Sequence, residues 1–177
     1  MSSQSDAASL YYKPETIAMT IIPLENIHAE QLCDWKYEAP YRMYEWPSWE
    51  RMQKDGIEFG DPVLRQQQYK AILDAQGQLI GFAQLFPIVG VTRIGLGLRP
   101  DLCSRGIGPA LTSLITREAL RLSPGNAVDL EVLTWNHRAV RAYKKAGFVI
   151  EDTYIRATPR GAAEFHCMLF QSPLPRS

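Results

Sequence analysis

Apolar and polar positions change period several times along the chain, and each change marks an element. Thr16 to Ile22 alternates and is rich in isoleucine and threonine, which predicts a strand that Pro23 stops. Leu24 to Glu38 has helical spacing, with Ile27, Leu32 and Trp35 toward a core, and Pro40 breaks it. Gly56 to Pro62 is a loop of turn residues. Gln68 to Asp74 and Leu79 to Val89 read as strands about the turn Ala75-Gln76-Gly77-Gln78, a hairpin in whose second arm Pro87 predicts an irregularity. Gly90 turns the chain into a third strand, Thr92 to Arg99, completing an antiparallel meander.

The pattern then becomes strand, helix, strand. A turn carrying Gly106 and Gly108 opens into a helix whose apolar residues Leu111, Leu114, Ile115, Ala119 and Leu122 recur at helical spacing. Ser123-Pro124-Gly125-Asn126 ends it, and Ala127 to Thr134 is a strand that such a crossover sets parallel to the one before the glycine turn. Asn136 caps a further helix containing Ala139, Val140, Tyr143 and Ala146, with Lys144 and Lys145 in its last turn and Gly147 as its stop. Phe148 to Ala157 and Ala163 to Gln171 close the pattern as two strands about Pro159-Arg160-Gly161. The order predicts one domain over residues 14–172 behind a loose polar segment, residues 1–13.

Composition narrows the partners. With 177 residues, 46% of them hydrophobic, the chain can bury a proper core. Lysine plus arginine and aspartate plus glutamate balance at 19 each, which removes the long-range pull expected of a nucleic-acid binder. No apolar run reaches the roughly 20 residues of a membrane span, and Met1 to Ser9 lacks the basic start and apolar stretch of a signal peptide; the expectation is a cytoplasmic protein with no membrane partner. Cys33, Cys103 and Cys167 lie far apart with no histidine pair at ligand spacing, so no metal site is expected. Cys33 and Cys167 read as small buried hydrophobes.

The candidate chemistry gathers in two stretches. At the glycine turn, a helix N-terminus offers backbone N–H groups without intrahelical partners and the positive end of the helix dipole, and Arg105 adds a charge beside it. Two other phosphate loops do not fit: Pro109 and Ala110 follow Gly108 where a P-loop needs lysine and a hydroxyl residue, and Leu98-Arg99-Pro100 follows Gly97 where a dinucleotide fingerprint needs a third glycine. The second stretch runs from Trp35 to Trp49, with Tyr37, Tyr41, Tyr44 and Trp46 interspersed with Glu38, Glu45 and Glu50. Two readings of it stand together: rings packed on the sheet from two short helices, and the walls of an acceptor pocket in which an acid steadies an amine.

Cys103-Ser104-Arg105-Gly106-Ile107-Gly108, followed by Asn136, Ala139, Tyr143 and Gly147-Phe148, resembles the signature of the GNAT superfamily of acetyl-CoA-dependent N-acetyltransferases. The likeness spans Leu79 to Thr153. It implies an α/β (α+β) fold: a mixed, mostly antiparallel sheet of about seven strands with a central parallel, splayed pair, flanked by helices on both faces. It also implies that acetyl-CoA lies in the splay, with its pantetheine arm against the backbone near Leu98, its pyrophosphate on the amides of Ser104, Arg105, Gly106, Ile107 and Gly108, and Asn136 reaching it from the other side. Two residues depart from the signature: Cys103 stands where the family has glutamine or arginine, and Pro109 has no N–H to offer.

The resemblance further implies Tyr143 as the acid that protonates the departing thiolate, and a backbone N–H near Leu98 as support for the thioester oxygen. Glu131 is the expected base, in a spacing to Asn136 and Tyr143 that is similar to bacterial enzymes acetylating ribosomal-protein N-termini. Strand alternation puts Glu131 on one face with Leu133, and His137 and His166 are weaker candidates. Tyr41, Tyr44 and Trp46 are the expected substrate walls. The expected activity is acetylation of a primary amine, either a small molecule or a peptide N-terminus, by direct attack with both substrates bound. The other reading is a module that binds acetyl-CoA without turning it over. A homodimer is open.

Overall fold

The computed structural model describes residues 17–172; the segment 1–13 and Thr16 lie outside them. Within them the strands are β1 (Thr20–Pro23), β2 (Tyr69–Leu73), β3 (Leu79–Ile88), β4 (Val91–Leu98), β5 (Ala127–Leu133), β6 (Phe148–Thr158) and β7 (Gly161–Phe170). The helices are α1 (Asn26–Cys33), α2 (Trp49–Asp55), α3 (Pro62–Gln68), α4 (Gly108–Leu122) and α5 (His137–Lys145). The strands form one sheet ordered β1-β2-β3-β4-β5-β7-β6. Its neighbours are antiparallel except β4 and β5, as the crossover through α4 requires.

The β4–β5 pair is only begun. Val91, Thr92 and Arg93 pair with Ala127, Val128 and Asp129, and the two strands then part although β4 runs on to Leu98 and β5 to Leu133. On the other side of β4 pairing with β3 is continuous from Gly81–Leu98 to Ile88–Val91. The irregularity expected at Pro87 is therefore not there: Pro87 pairs with Thr92, beyond the last β3 residue that β2 covers, Gln84, so its missing N–H interrupts no ladder on that side. A register shift falls instead between Ile72 and Leu73 of β2.

Each face of the sheet carries its own core. Leu111, Ile115 and Ala119 of α4 and Val140 of α5 pack with Ile72, Ile80, Ile94, Val128, Leu130 and Val132 on one face. Thr112 and Thr116 are also buried, and each returns its hydroxyl to the carbonyl four residues back, so the helix hides two polar groups without leaving them unpaired. Leu122, expected on the buried stripe, is 49% exposed because the helix ends there. The opposite face holds Ala29, Leu32, Cys33, Met52, Phe59, Tyr69 and Ala71, with Trp35, Trp46 and Trp49 packed against them. No helix of the described residues is long and apolar enough to cross a membrane.

Two stretches differ from the sequence reading. The first helix stops at Cys33 rather than Glu38, because the following residues are used in extended form: Trp35 joins the second core, and the Tyr37 amide donates to the Glu45 carboxylate at 3.0 Å. The loop from Gly56 holds a 3₁₀ turn, Glu58–Gly60, and passes into α3, which takes Gln68 from the expected strand. Asp61 caps α3 by accepting from Val63 and Leu64, with Pro62 in its first turn, the signals a helix start requires.

Candidate active site

Where β4 and β5 part, a cleft of about 890 Å³ opens between the sheet, the N-terminal ends of α4 and α5, and the aromatic stretch. Arg99 donates its amide to Ile80 at 2.8 Å, which fixes the alternation: Gly95, Gly97 and Arg99 turn their backbone groups to β3, and Leu96 and Leu98 turn theirs to the cleft. A strand edge thus faces the cavity with polar groups that an extended ligand can pair. Tyr37 already uses one of them, donating its hydroxyl to the Leu98 carbonyl at 2.8 Å. Burial pushes the Tyr37 phenol above its ordinary pKa of 10.0.

The glycine turn forms the end of the cleft that attracts anions. Gly106 has φ of +79°, a conformation that costs an L residue roughly 1–2 kcal/mol, and Ser104 shares it at +61°. Gly108 serves differently: a Cβ there would stand 3.2 Å from Cβ of Ala142, so its lack of a side chain lets α4 and α5 meet. No side chain caps α4 and its first turn holds no acid, which leaves that turn's amides and the positive end of the dipole facing outward. Pro109 sits in the first turn, where no intrahelical bond is lost. Cys103, Ser104, Gly106 and Gly108 line the cleft; Arg105 is exposed and Ile107 is buried, and neither side chain is part of the lining. Burial raises the Cys103 thiol, which points at the Leu98 and Arg99 carbonyls, so it is not an activated nucleophile.

Helix α5 closes the other side. Asn136 is its cap, accepting from the Ala139 amide at 3.2 Å, and the same side chain donates to the Tyr44 hydroxyl at 2.9 Å. Both ends of the amide are thus engaged within the protein. Tyr143 lines the cleft, and burial, with Tyr44 nearby, raises its phenol above 10.0, which keeps it protonated. Arg138, Arg141 and Lys145 also line the cleft, at the spacing of one helical face.

The aromatic stretch spans the mouth. Tyr44 and Trp46 line the cleft, and Trp46 is also fixed edge-on to Phe59 at 4.8 Å and Phe82 at 6.0 Å. Tyr41 is not in the lining: its ring lies under the Arg138 guanidinium at 3.8 Å and beside Trp135 at 5.7 Å. Glu45 adds a half-buried carboxylate to the same wall.

Glu131 lines the cleft on the face shared with Leu133, as alternation predicts, while Leu130 and Val132 enter the core. It is not a lone carboxylate. Arg93 approaches it at 3.3 Å, Arg156 at 3.2 Å, and the Tyr154 hydroxyl donates to it. Arg93 in turn grips Asp129 through two nitrogens at 3.0 and 2.7 Å. His166 is bonded to Thr153, and neither it nor His137 lines the cleft.

The structure therefore brings together Leu98, Cys103, Ser104, Gly106, Gly108, Glu131, Asn136, Tyr143, Tyr44 and Trp46 around one cavity, and leaves the side chains of Arg105, Ile107 and Tyr41 outside its lining. Sequence reading placed Tyr37 and Glu45 in the aromatic stretch without singling them out, and missed Gln84 and the basic face of α5 as cleft residues. The last had a signal, basic residues at positions 138, 141 and 145; the pairing of Tyr37 with a carbonyl 61 residues away had none.

A parted parallel pair beside an uncapped, glycine-opened helix end leaves room for an extended, anionic ligand between two strands. The model of the acetyltransferase (GNAT) family matches residues 26–148, and the chain belongs to that family. It is accordingly an acyltransferase. No curated protein matches the chain. Among solved structures, a spermidine N-acetyltransferase SpeG chimera from Vibrio cholerae and hSSAT superposes with a TM-score of 0.70 at 19% identity, over 86% of this chain and 94% of that one. The spermidine N-acetyltransferase from Vibrio cholerae in complex with CoA and spermine gives 0.64 at 18% identity over the same shares, 86% and 94%. AAC(6')-Ib in complex with ribostamycin and coenzyme A gives 0.68 at 22% identity over 90% and 98%. At these identities the likeness is one of fold.

Proposed function

We propose that the chain transfers an acetyl group from acetyl-CoA to a primary amine, a small molecule or a peptide N-terminus, by direct attack while both substrates are held together. The observation that carries this reading is the parting of β4 from β5 beside the uncapped start of α4, with a phenol and two carboxylates on the walls of the same cavity. When bound, acetyl-CoA supplies an activated thioester.

The chain's own groups divide the remaining work. The amides of Ser104 to Gly108, with the charges of Arg138, Arg141 and Lys145, take a pyrophosphate, so the side chain lost at Cys103 costs one contact of several. Leu96 and Leu98 offer paired backbone groups to an extended arm, and the Leu98 N–H supports the thioester oxygen. Tyr143 gives its proton to the departing thiolate; its burial keeps that proton in place until it is needed. Glu131 receives the proton of the acceptor amine. Asn136 holds Tyr44 in the wall rather than reaching the cosubstrate, and Tyr44 and Trp46 shape the acceptor's path toward Glu45 and Glu131.

A cationic acceptor fits two carboxylates on an aromatic wall, which favours polyamine-like or aminosugar-like amines, such as the spermine and ribostamycin of the similar structures, over a peptide N-terminus. The ion pairs that already surround Glu131 favour the second reading, an acetyl-CoA-binding module without turnover. Free thiol released from acetyl-CoA in the presence of spermidine, ribostamycin and a hexapeptide separates them. Amine-dependent release is expected; tight CoA binding with no release from any of the three overturns the catalytic reading.

A further inference from the structure

A guanidinium is paired with the acidic wall of the cleft from behind. Arg156, on the outermost strand β6, reaches back across β7 to Glu131 Oε2 at 3.2 Å, and its guanidinium lies 4.3 Å above the ring of Phe165. Glu131 and Phe165 are both walls of the cleft, whereas Arg156 is not. The two partners are held very differently: the Glu131 side chain is 14% exposed and the Arg156 side chain 51%. Glu131 keeps Arg93 and the Tyr154 hydroxyl on its other oxygen, so it stays fixed when Arg156 leaves. With half of the Arg156 side chain in solvent the pair is weak, so a second cation can displace it.

Charge balance says what that cation must be. Arg93, Arg156, Asp129 and Glu131 form a neutral set of four. A neutral ligand displacing Arg156 leaves an excess negative charge in the half-buried wall, and only a ligand bearing positive charge restores the balance. The ring of Phe165 offers the same ligand a cation–π face that Arg156 now occupies.

We infer that Arg156 is a specificity-determining residue that stands in for the acceptor: a protonated amine enters by displacing its guanidinium from Glu131 Oε2 and the Phe165 ring, so the wall admits cationic acceptors and resists neutral ones. This rests on the reading of Glu131 as the group that meets the acceptor. The exchange breaks and forms no covalent bond.

The test measures acceptor and acetyl-CoA KM separately in Arg156→Gln and Arg156→Lys, using whichever amine of spermidine, ribostamycin and the hexapeptide is turned over fastest. Removing the competitor lowers the acceptor KM about two- to fivefold in Arg156→Gln, the range of an exposed ion pair, leaves acetyl-CoA KM unchanged, and Arg156→Lys returns the acceptor KM toward wild type. An acceptor KM that is unchanged or raised in Arg156→Gln, with acetyl-CoA KM unchanged, overturns the exchange while leaving the acetyltransferase reading intact. Should Arg156→Gln not fold, the Arg156 Nε–Hε resonance of the wild-type protein decides: it shifts on adding the amine and not on adding CoA if the exchange occurs, and a resonance unmoved by the amine overturns it. Absence of turnover with all three amines is the separate failure of the underlying reading.

Discussion

The two walls of the cleft are made of different material. On the proposed donor side, the α4 turn and the β4 edge offer a ligand peptide N–H and C=O groups, held by a left-handed Gly106 and by a strand that β5 leaves half unpaired. On the acceptor side, the wall is side chains throughout: Tyr44 on Asn136, Trp46 on Phe82, and Glu131 among Arg93, Tyr154 and Arg156. A backbone site tolerates exchange of side chains but not of backbone shape. A side-chain site has the opposite weakness. On this reading Cys103→Ala should disturb the donor side less than a change of backbone shape at Gly106.

Substitutions that cross this division break or sharpen it. The largest effect is expected where the walls meet: Tyr143→Phe lowers kcat by about a hundredfold or more, the scale of a lost general acid, while calorimetry shows CoA binding retained. Unchanged turnover removes Tyr143 from that role. Next, Glu131→Gln lowers kcat/KM by on the order of tenfold or more; a value equal to wild type places the base elsewhere. Third, Gly106→Ala forces an L residue to +79° and costs about 1–2 kcal/mol of stability by thermal denaturation, with weaker CoA binding. Cys103→Ala leaves CoA affinity within about fivefold, since a net hydrogen bond is worth about 1 kcal/mol. A larger loss at Cys103 than at Gly106 overturns the contrast.

The smallest effect is one of pH. Burial, then the charge and hydrogen bond of Asp129, push the Cys167 thiol up from 9.0 to about 11. The folded state therefore holds this proton more tightly than the unfolded chain. The stabilisation is complete below about pH 9 and is lost as pH rises toward 11. Cys167→Ala makes the fall in Tm over that range shallower, and an unaltered slope shows that the thiol's surroundings contribute nothing.

The donor side was readable in the sequence because its determinants are local. Gly106, the helix that follows it and the Asn136 cap are each set by neighbours a few residues away, and the crossover rule turns them into a parallel pair. The acceptor side was readable only as a concentration of rings. Whether Tyr41 or Tyr37 faces the cleft depends on partners far along the chain: Arg138 draws Tyr41 away and the Leu98 carbonyl draws Tyr37 in. The pairs Arg93–Asp129 and Glu131–Arg156 join residues on separate strands, so no spacing announces them. Alternation did put Glu131 on the right face. It could not say that two guanidiniums would be waiting there.

The contact between Gly108 and Ala142 ties these halves together. Ala142 precedes Tyr143 on α5, so a Cβ at position 108, 3.2 Å from that of Ala142, would press on the helix that carries the phenol. One side chain's absence thereby sets how near the glycine turn and the phenol stand to each other.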